Sequence, residues 1–435
     1  MRKSLLICMI TLVCLFTFVP KHAIEAASKK PFQKFKGDLI YSPYVDKNGS
    51  LVFGYNTRAN KADLANIAVV SEKGKVVKKW KERGLGLFTS DAKDSKRQIY
   101  VYDSTKGSLK TFDQNHKKKW QRIIAKGVKE MYLYLGFNGG FFYDEPRYDY
   151  RTHTKGFTYN GKAVTFPLRY LDESGFGLDI GRNEQTAYEF DYDYNGSFAS
   201  LSKWNGNGTV AWTKDIFKMD KNKGSKVFNY HIFQDDEQGN VYIRVGYSKY
   251  EGKKDVILLY ALSPSGDLIW KKNVNQSDTR YGDIIGNTFF YADYGKAVFL
   301  NRKNGKTIST IKTNDDVRLH AIEGNTLYFS YGNYLTATTE KGKIIWKYKI
   351  PKGKTIQRAV VDQKRNIYIA MNDNNRSNMH DFVKVSPKGK QIKKYTYNAG
   401  NYNLINIIIN SKSDVIYPFF NKYSNNENTV LQYKY

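Results

Sequence analysis

Two kinds of tight turn alternate along this chain from Asp46 to Ser413, and no other feature restricts its fold so strongly. One kind leads into an apolar pair and often a tryptophan. Examples are Glu72-Lys73-Gly74-Lys75-Val76-Val77 before Trp80, Ser265-Gly266-Asp267-Leu268-Ile269-Trp270, and Lys341-Gly342-Lys343-Ile344-Ile345-Trp346. Further copies centre on His116, Gly161, Gly208, Gly305 and Gly389, with a mean interval of about 45 residues. The other kind falls between them. Asp46-Lys47-Asn48-Gly49 precedes Leu51-Val52-Phe53, and Asp236-Glu237-Gln238-Gly239-Asn240 precedes Val241-Tyr242-Ile243. Others sit near Lys96, Gly139, Glu184, Gly286, Gly324, Arg365 and Ser413. Gly and Asn accept the positive φ that hairpin turns require, and the flanks are short, β-branched and aromatic.

Each period therefore holds four short strands, and no segment keeps a 3.6-residue apolar repeat. A β-solenoid needs shorter coils, and a tandem of sandwiches needs units of roughly 100 residues with linkers. The expected fold is all-β: a β-propeller of four-stranded antiparallel blades, spanning residues 29–435 as a single domain. Counting turns gives eight or nine blades. The C-terminal set has only three strands, near 402–410, 414–421 and 428–434, and Phe32-Gln33-Lys34-Phe35 is the natural fourth. One blade shared by N- and C-terminal strands would close the ring.

The first 28 residues read as an address. Arg2 and Lys3 precede an apolar run from Leu5 to Val19, and Ala26-Ala27-Ser28 supplies small residues for cleavage. The run is shorter than the about 20 residues that cross a bilayer comfortably. Cys8 and Cys14 both lie inside it, so a processed chain has no disulfide and no thiolate. A secreted protein, held outside the cell or retained in its wall, is the expectation.

The Gly-[Lys/Asp]-aliphatic-aliphatic-Trp turns, as in Ala261-Leu262-Ser263-Pro264-Ser265-Gly266-Asp267-Leu268-Ile269-Trp270, resemble the repeats of PQQ-like propellers of the quinoprotein alcohol dehydrogenase type. The resemblance implies that turn and tryptophan lock neighbouring blades together. It says little about function, because one scaffold hosts many. Enzymatic members carry adjacent cysteines near the quinone and a carboxylate-bound calcium. The processed chain has no cysteine, which points to a non-enzymatic member, and its export and charge point to a Gram-positive source.

The formal charge is +29. It becomes +27 when the leader takes away Arg2, Lys3, Lys21 and Glu25. A small domain needs only about 2–8 for solubility. Lysines crowd the outermost strands at Lys78, Lys79 and Lys81, at Lys117, Lys118 and Lys119, at Lys271 and Lys272, at Lys347 and Lys349, and at Lys393 and Lys394. Lysine on an open strand edge discourages pairing with other chains, but the surplus also recruits polyanions. With 54 Lys against 16 Arg and no nucleic-acid motif, a nucleic acid is not the expected partner. An anionic cell-wall polymer, an acidic glycan, an envelope protein or a peripheral membrane surface fits better, bound by a monomer.

The loops opposite the tight turns carry the candidate ligand residues: Asp144, Arg147, Tyr148 and Tyr150; Tyr192 and Tyr194; Tyr247 and Tyr250; Asp293 and Tyr294; Asp373 and Arg376. Tyrosine offers an apolar face and a hydroxyl, which suits sugar rings and protein partners alike. Asp191-x-Asp193-x-Asn195-Gly196 matches the first half of a calcium loop, but Ser202 stands where the closing carboxylate belongs, so only weak Ca2+ binding is expected. His116, His153, His231, His320 and His380 show no metal-ligand spacing. Binding without catalysis is the primary expectation. The alternative is a polysaccharide lyase or glycosidase using carboxylates such as Asp144, Asp191 or Asp293.

Overall fold

The computed structural model describes residues 31–59, 62–88, 98–113, 115–124, 132–135, 140–145, 153–158, 160–167, 178–192, 199–216, 226–233, 235–248, 256–274, 281–293, 295–376, 378–422 and 427–435. Residues 1–28, read above as a leader, lie outside them. The described residues form nine antiparallel sheets, eight of them running in chain order from an innermost first strand to an outermost fourth. Blade 1 is Asp38–Val45, Leu51–Ala59, Ala62–Val70 and Val76–Arg83. Blades 2 to 8 occupy residues 85–123, 132–167, 178–215, 226–274, 281–312, 318–349 and 354–398. The first strands of blades 6 to 9, 9 and 1, and 1 and 2 lie against one another, so the sheets form a wheel. Of eight or nine blades, the count is nine.

Blade 9 is Asn403–Asn410, Val415–Lys422 and Glu427–Val430, with Gln33–Lys36 as its outermost strand and Tyr433–Lys434 paired back onto its second. Gln33 pairs with Val430 and Lys36 with Glu427. The two chain ends thus complete one sheet. Across the joint to blade 1, Asn410 Nδ2 donates to the Gly49 carbonyl at 3.1 Å and to Glu72 Oε1 at 2.6 Å.

All eight turns of the Gly-Lys kind hold their central residue at positive φ, from 65° at His116 to 84° at Gly208. Each such turn sits under the outermost strand of the preceding blade. Trp212 of blade 4 covers Gly266 of blade 5, where a Cβ would meet the indole at 2.8 Å. Its Nε1 donates to the Pro264 carbonyl at 2.8 Å. Blade 6 lacks the tryptophan, and Ser309 Oγ makes the same reach to the Lys341 carbonyl at 2.8 Å. From blade 9, Gln33 Nε2 does so to the Gly74 carbonyl at 2.6 Å.

The buried apolar side chains fall into nine clusters, and each spans one blade-to-blade interface. Tyr188, Leu201, Val241 and Tyr260 join blades 4 and 5, for example, while Phe53, Val70, Phe419 and Val430 join blades 1 and 9. A β-sheet alternates its side chains between two faces, so each blade contributes to two clusters and completes neither. Stability is therefore a property of the closed ring.

Candidate functional site

Of the twelve loop residues expected to meet a ligand, Arg147, Tyr148, Tyr150, Tyr194, Tyr250 and Tyr294 lie outside the described residues. So do Asp193 and Asn195 of the calcium half-loop, while Asp191 closes the second strand of blade 4, Thr186–Tyr192. Asp144 is next to last in the second strand of blade 3, Phe141–Glu145, and Asp293 ends that of blade 6. Tyr192 is half-buried, with its ring 5.7 Å from that of Tyr230. Tyr247 is placed differently from the expectation. It sits wholly inside the core, its hydroxyl 2.9 Å from that of Tyr260. The strand Val241–Ser248 runs on to Ser248, so strand alternation turns Tyr247 inward.

Asp373 and Arg376 are on the loop face of blade 8. Lys354 Nζ is 3.1 Å from Asp373 Oδ2 and 3.1 Å from Asp381 Oδ2. Asp381, 1% exposed, also takes Lys394 Nζ at 2.9 Å and Thr396 Oγ1 at 2.8 Å. Burial opposes its charge, but the hydrogen bonds from Lys394, Thr396 and Lys354 prevail and hold it below the ordinary aspartate range. Around it stand short polar contacts: Thr355 Oγ1 to Asn374 Oδ1 at 2.7 Å, and Gln357 Nε2 to Asn372 Oδ1 at 2.9 Å. The result is an amide-rich platform beside exposed Arg376. Such groups donate and accept alongside sugar hydroxyls or a peptide backbone.

A second cluster lies nearer the tight-turn end, between blades 4, 5 and 6. A cavity of about 260 Å³ is lined by Tyr188, His231, Phe233, Asp235, Gly282 and Asp283 among others. Arg182 donates its backbone N–H to Asp235 Oδ1 at 2.7 Å. Burial pushes Asp235 and Asp283 above the ordinary aspartate value, with the charge of Arg182 opposing in both. Burial lowers His231, and Arg244 adds to it. Carboxyls shifted this way hold a proton more readily and can donate a hydrogen bond to a bound polar group. The spacing of these residues in sequence hides the cluster. Its one signal is the acidic pair Asp235-Asp236 in a turn of a basic chain. Among the described residues, no group of three or more His, Cys, Asp or Glu is placed to hold a metal ion.

The charges are sorted by position. Carboxylates cap turns: Asp46 Oδ1 accepts from the Asn48 and Ser50 amides at 2.8 and 2.9 Å, and Asp236 Oδ1 from Gln238 and Asn240 at 2.9 Å. Asp113 and Asp362 do likewise. The lysines of the fourth strands face out instead. Lys78, Lys79, Lys81, Lys117, Lys118, Lys347 and Lys349 are all exposed; Lys272 and Lys394 are half-buried.

No family model matches the chain, and no curated protein matches it. Among solved structures, it is similar to one described as the eukaryotic initiation factor, at 12% identity over 86% of this chain and 89% of that one, with a TM-score of 0.54. It is similar to BamB from Moraxella catarrhalis at 10% identity over 93% and 99%, TM-score 0.39. The WD40 domain of SCAP from fission yeast matches at 7% identity over 77% and 86%, TM-score 0.37. At such identities the likeness concerns the propeller fold alone.

Proposed function

We propose that this chain is a secreted binding platform that engages an anionic polymer of a Gram-positive cell envelope, or an envelope protein, without catalysing a reaction on it. One observation carries the reading: Asp46, Asp113, Asp236 and Asp362 cap turns and Asp381 is buried between lysines, while lysines point outward from the outermost strands. A lysine surface of this kind recruits polyanions. The amide- and arginine-bearing loop face of blade 8 supplies directional contacts that a diffuse lysine surface lacks. Weak Ca2+ binding at Asp191 and its loop belongs to this reading as a secondary feature.

Sedimentation with purified cell walls tests it. The protein should pellet at low salt and be released at high salt, since the screening length shrinks from about 10 Å at 0.1 M to about 3 Å at 1 M. Failure to pellet at low salt would refute the reading. A second reading, a lyase or glycosidase acting on an acidic glycan, is favoured by Asp235 and Asp283, two carboxyls pushed toward their protonated forms beside one cavity. Turnover of a polyuronate, lost on Asp283→Asn or on Asp191→Ala, would support it.

A further inference from the structure

Of the ten large hydrophobic side chains exposed among the described residues, nine belong to fourth strands. Scattered exposed aliphatics need no explanation, but five of these nine recur at one offset. Counting from the positive-φ residue of each Gly-Lys turn, the third position is Val77 in blade 1 (56% exposed), Ile308 in blade 6 (40%), Ile345 in blade 7 (49%) and Ile392 in blade 8 (48%). The first position is lysine in all four: Lys75, Lys306, Lys343 and Lys390, each exposed. Side chains alternate along a strand, so odd positions share the outward face. In blade 7 that face reads Lys343, Ile345, Lys347, Lys349, all exposed, while Trp346 and Tyr348 between them are buried.

The rows are not spread evenly. Blades 6, 7, 8 and 1 carry the lysine-aliphatic pair, and blade 9, between 8 and 1, adds exposed Lys34 and Lys36. Blade 4 has Thr209, Ala211 and Thr213 at the same places; blade 5 keeps the aliphatic, Ile269 at 39% exposed, but has Asp267 where the lysine stands. One arc of five blades is therefore basic throughout, with an exposed aliphatic at the shared offset on four of them.

We propose that this arc docks on an anionic lipid bilayer. Protection of open strand edges accounts for lysine; it gives no reason for a half-exposed isoleucine between lysines. A hydrated polymer has no apolar phase to receive that side chain. A lipid surface takes both groups at once, lysines at the headgroup phosphates and aliphatics at the acyl boundary. Such an attachment is peripheral, made by side chains on the outer strands. It leaves the loop face of blade 8 free for a partner.

The inference rests on the reading of the lysine surface as a polyanion recruiter, and vesicle flotation separates the two. The full chain should float with phosphatidylcholine vesicles containing phosphatidylglycerol, and not with phosphatidylcholine alone. Replacing Ile308, Ile345 and Ile392 by Ser should lower vesicle partition about tenfold while leaving cell-wall pelleting unchanged. Lys343→Gln with Lys347→Gln should lower both. All five side chains are exposed, so the fold should persist, as near-ultraviolet circular dichroism would verify. Equal flotation on neutral and anionic vesicles, or unaltered flotation of the serine variant, overturns the inference. Pelleting with walls but no flotation overturns it and leaves the polymer reading standing; loss of both removes both.

Discussion

The indole Nε1 of Trp270, in blade 5, donates a 2.8 Å hydrogen bond to the carbonyl of Arg302 in blade 6. The same ring covers Gly305 so closely that a Cβ there would lie 2.8 Å from it. One residue thus reads both the conformation and the composition of the neighbouring turn, and this contact recurs around the wheel.

Gly305→Ala should therefore cost more than Gly324→Ala. Both glycines have positive φ, but a Cβ at Gly324 meets nothing within 4 Å. Backbone strain alone predicts about 1 kcal/mol at Gly324, and displacement of Trp270 raises the cost at Gly305 to about 3 kcal/mol. Urea unfolding of the two variants would show the difference. Trp270→Phe, which keeps a ring but loses the donor, should cost about 1 kcal/mol beyond repacking.

Phe35, on the N-terminal strand, has its ring centroid 4.9 Å from both Phe53 and Tyr55. Phe35→Ala should destabilise by about 2 kcal/mol, below the cost of a fully buried ring because Phe35 is half-buried. Removing residues 32–36 should do more. It strips the partner from Glu427–Val430, leaves an open edge, and should produce concentration-dependent self-association in light scattering.

Asp381→Ala removes the shared acceptor of Lys354, Lys394 and Thr396. A loss of about 2 kcal/mol is expected, at the low side for a buried ion pair because Lys394 reaches water and Lys354 keeps Asp373. Asp381→Asn should cost less, since an amide oxygen still accepts from Thr396. Thermal unfolding, read beside hydrogen exchange of residues 372–376, would register both effects.

Acid should weaken the fold between pH 6.5 and about 4. Burial lowers His116, His320 and His380 from 6.5 to about 4. In that window the unfolded chain takes up protons that the folded chain refuses, so stability is full above 6.5 and falls as pH drops toward 4. His380 is the sharpest case. It is 4% exposed, its ring nitrogens have no partner among the described residues, and it stands edge-on to Phe420. His380→Phe should flatten the loss between pH 7 and 4.5, measured as the shift in urea midpoint.

The fold was legible because turns that need positive φ leave Gly, Asn or Asp as marks, and the marks alternate. The closing strand could be inferred from a simple deficit: three strands cannot finish a four-stranded blade. His116 keeps the spacing although it is no glycine, and it too has positive φ. Side-chain direction was harder to read. Tyr247 looks like a loop residue because Ser, Lys and Glu follow it, but strand pairing with Val256 carries it into the core. The Arg182, Asp235 and Asp283 cluster leaves no local pattern beyond the Asp235-Asp236 pair, since three different blades contribute it. Only closure of the wheel brings those residues together.

Gln33 and Val430 face each other at the end of the closing pair from which both strands lead away. A load pulling those two positions apart would meet the rungs singly, like a zipper, instead of shearing all four at once. The seam that completes the wheel is thus its mechanical weak point, and tension should peel the N-terminal strand away well before heat or urea melts the nine interfaces.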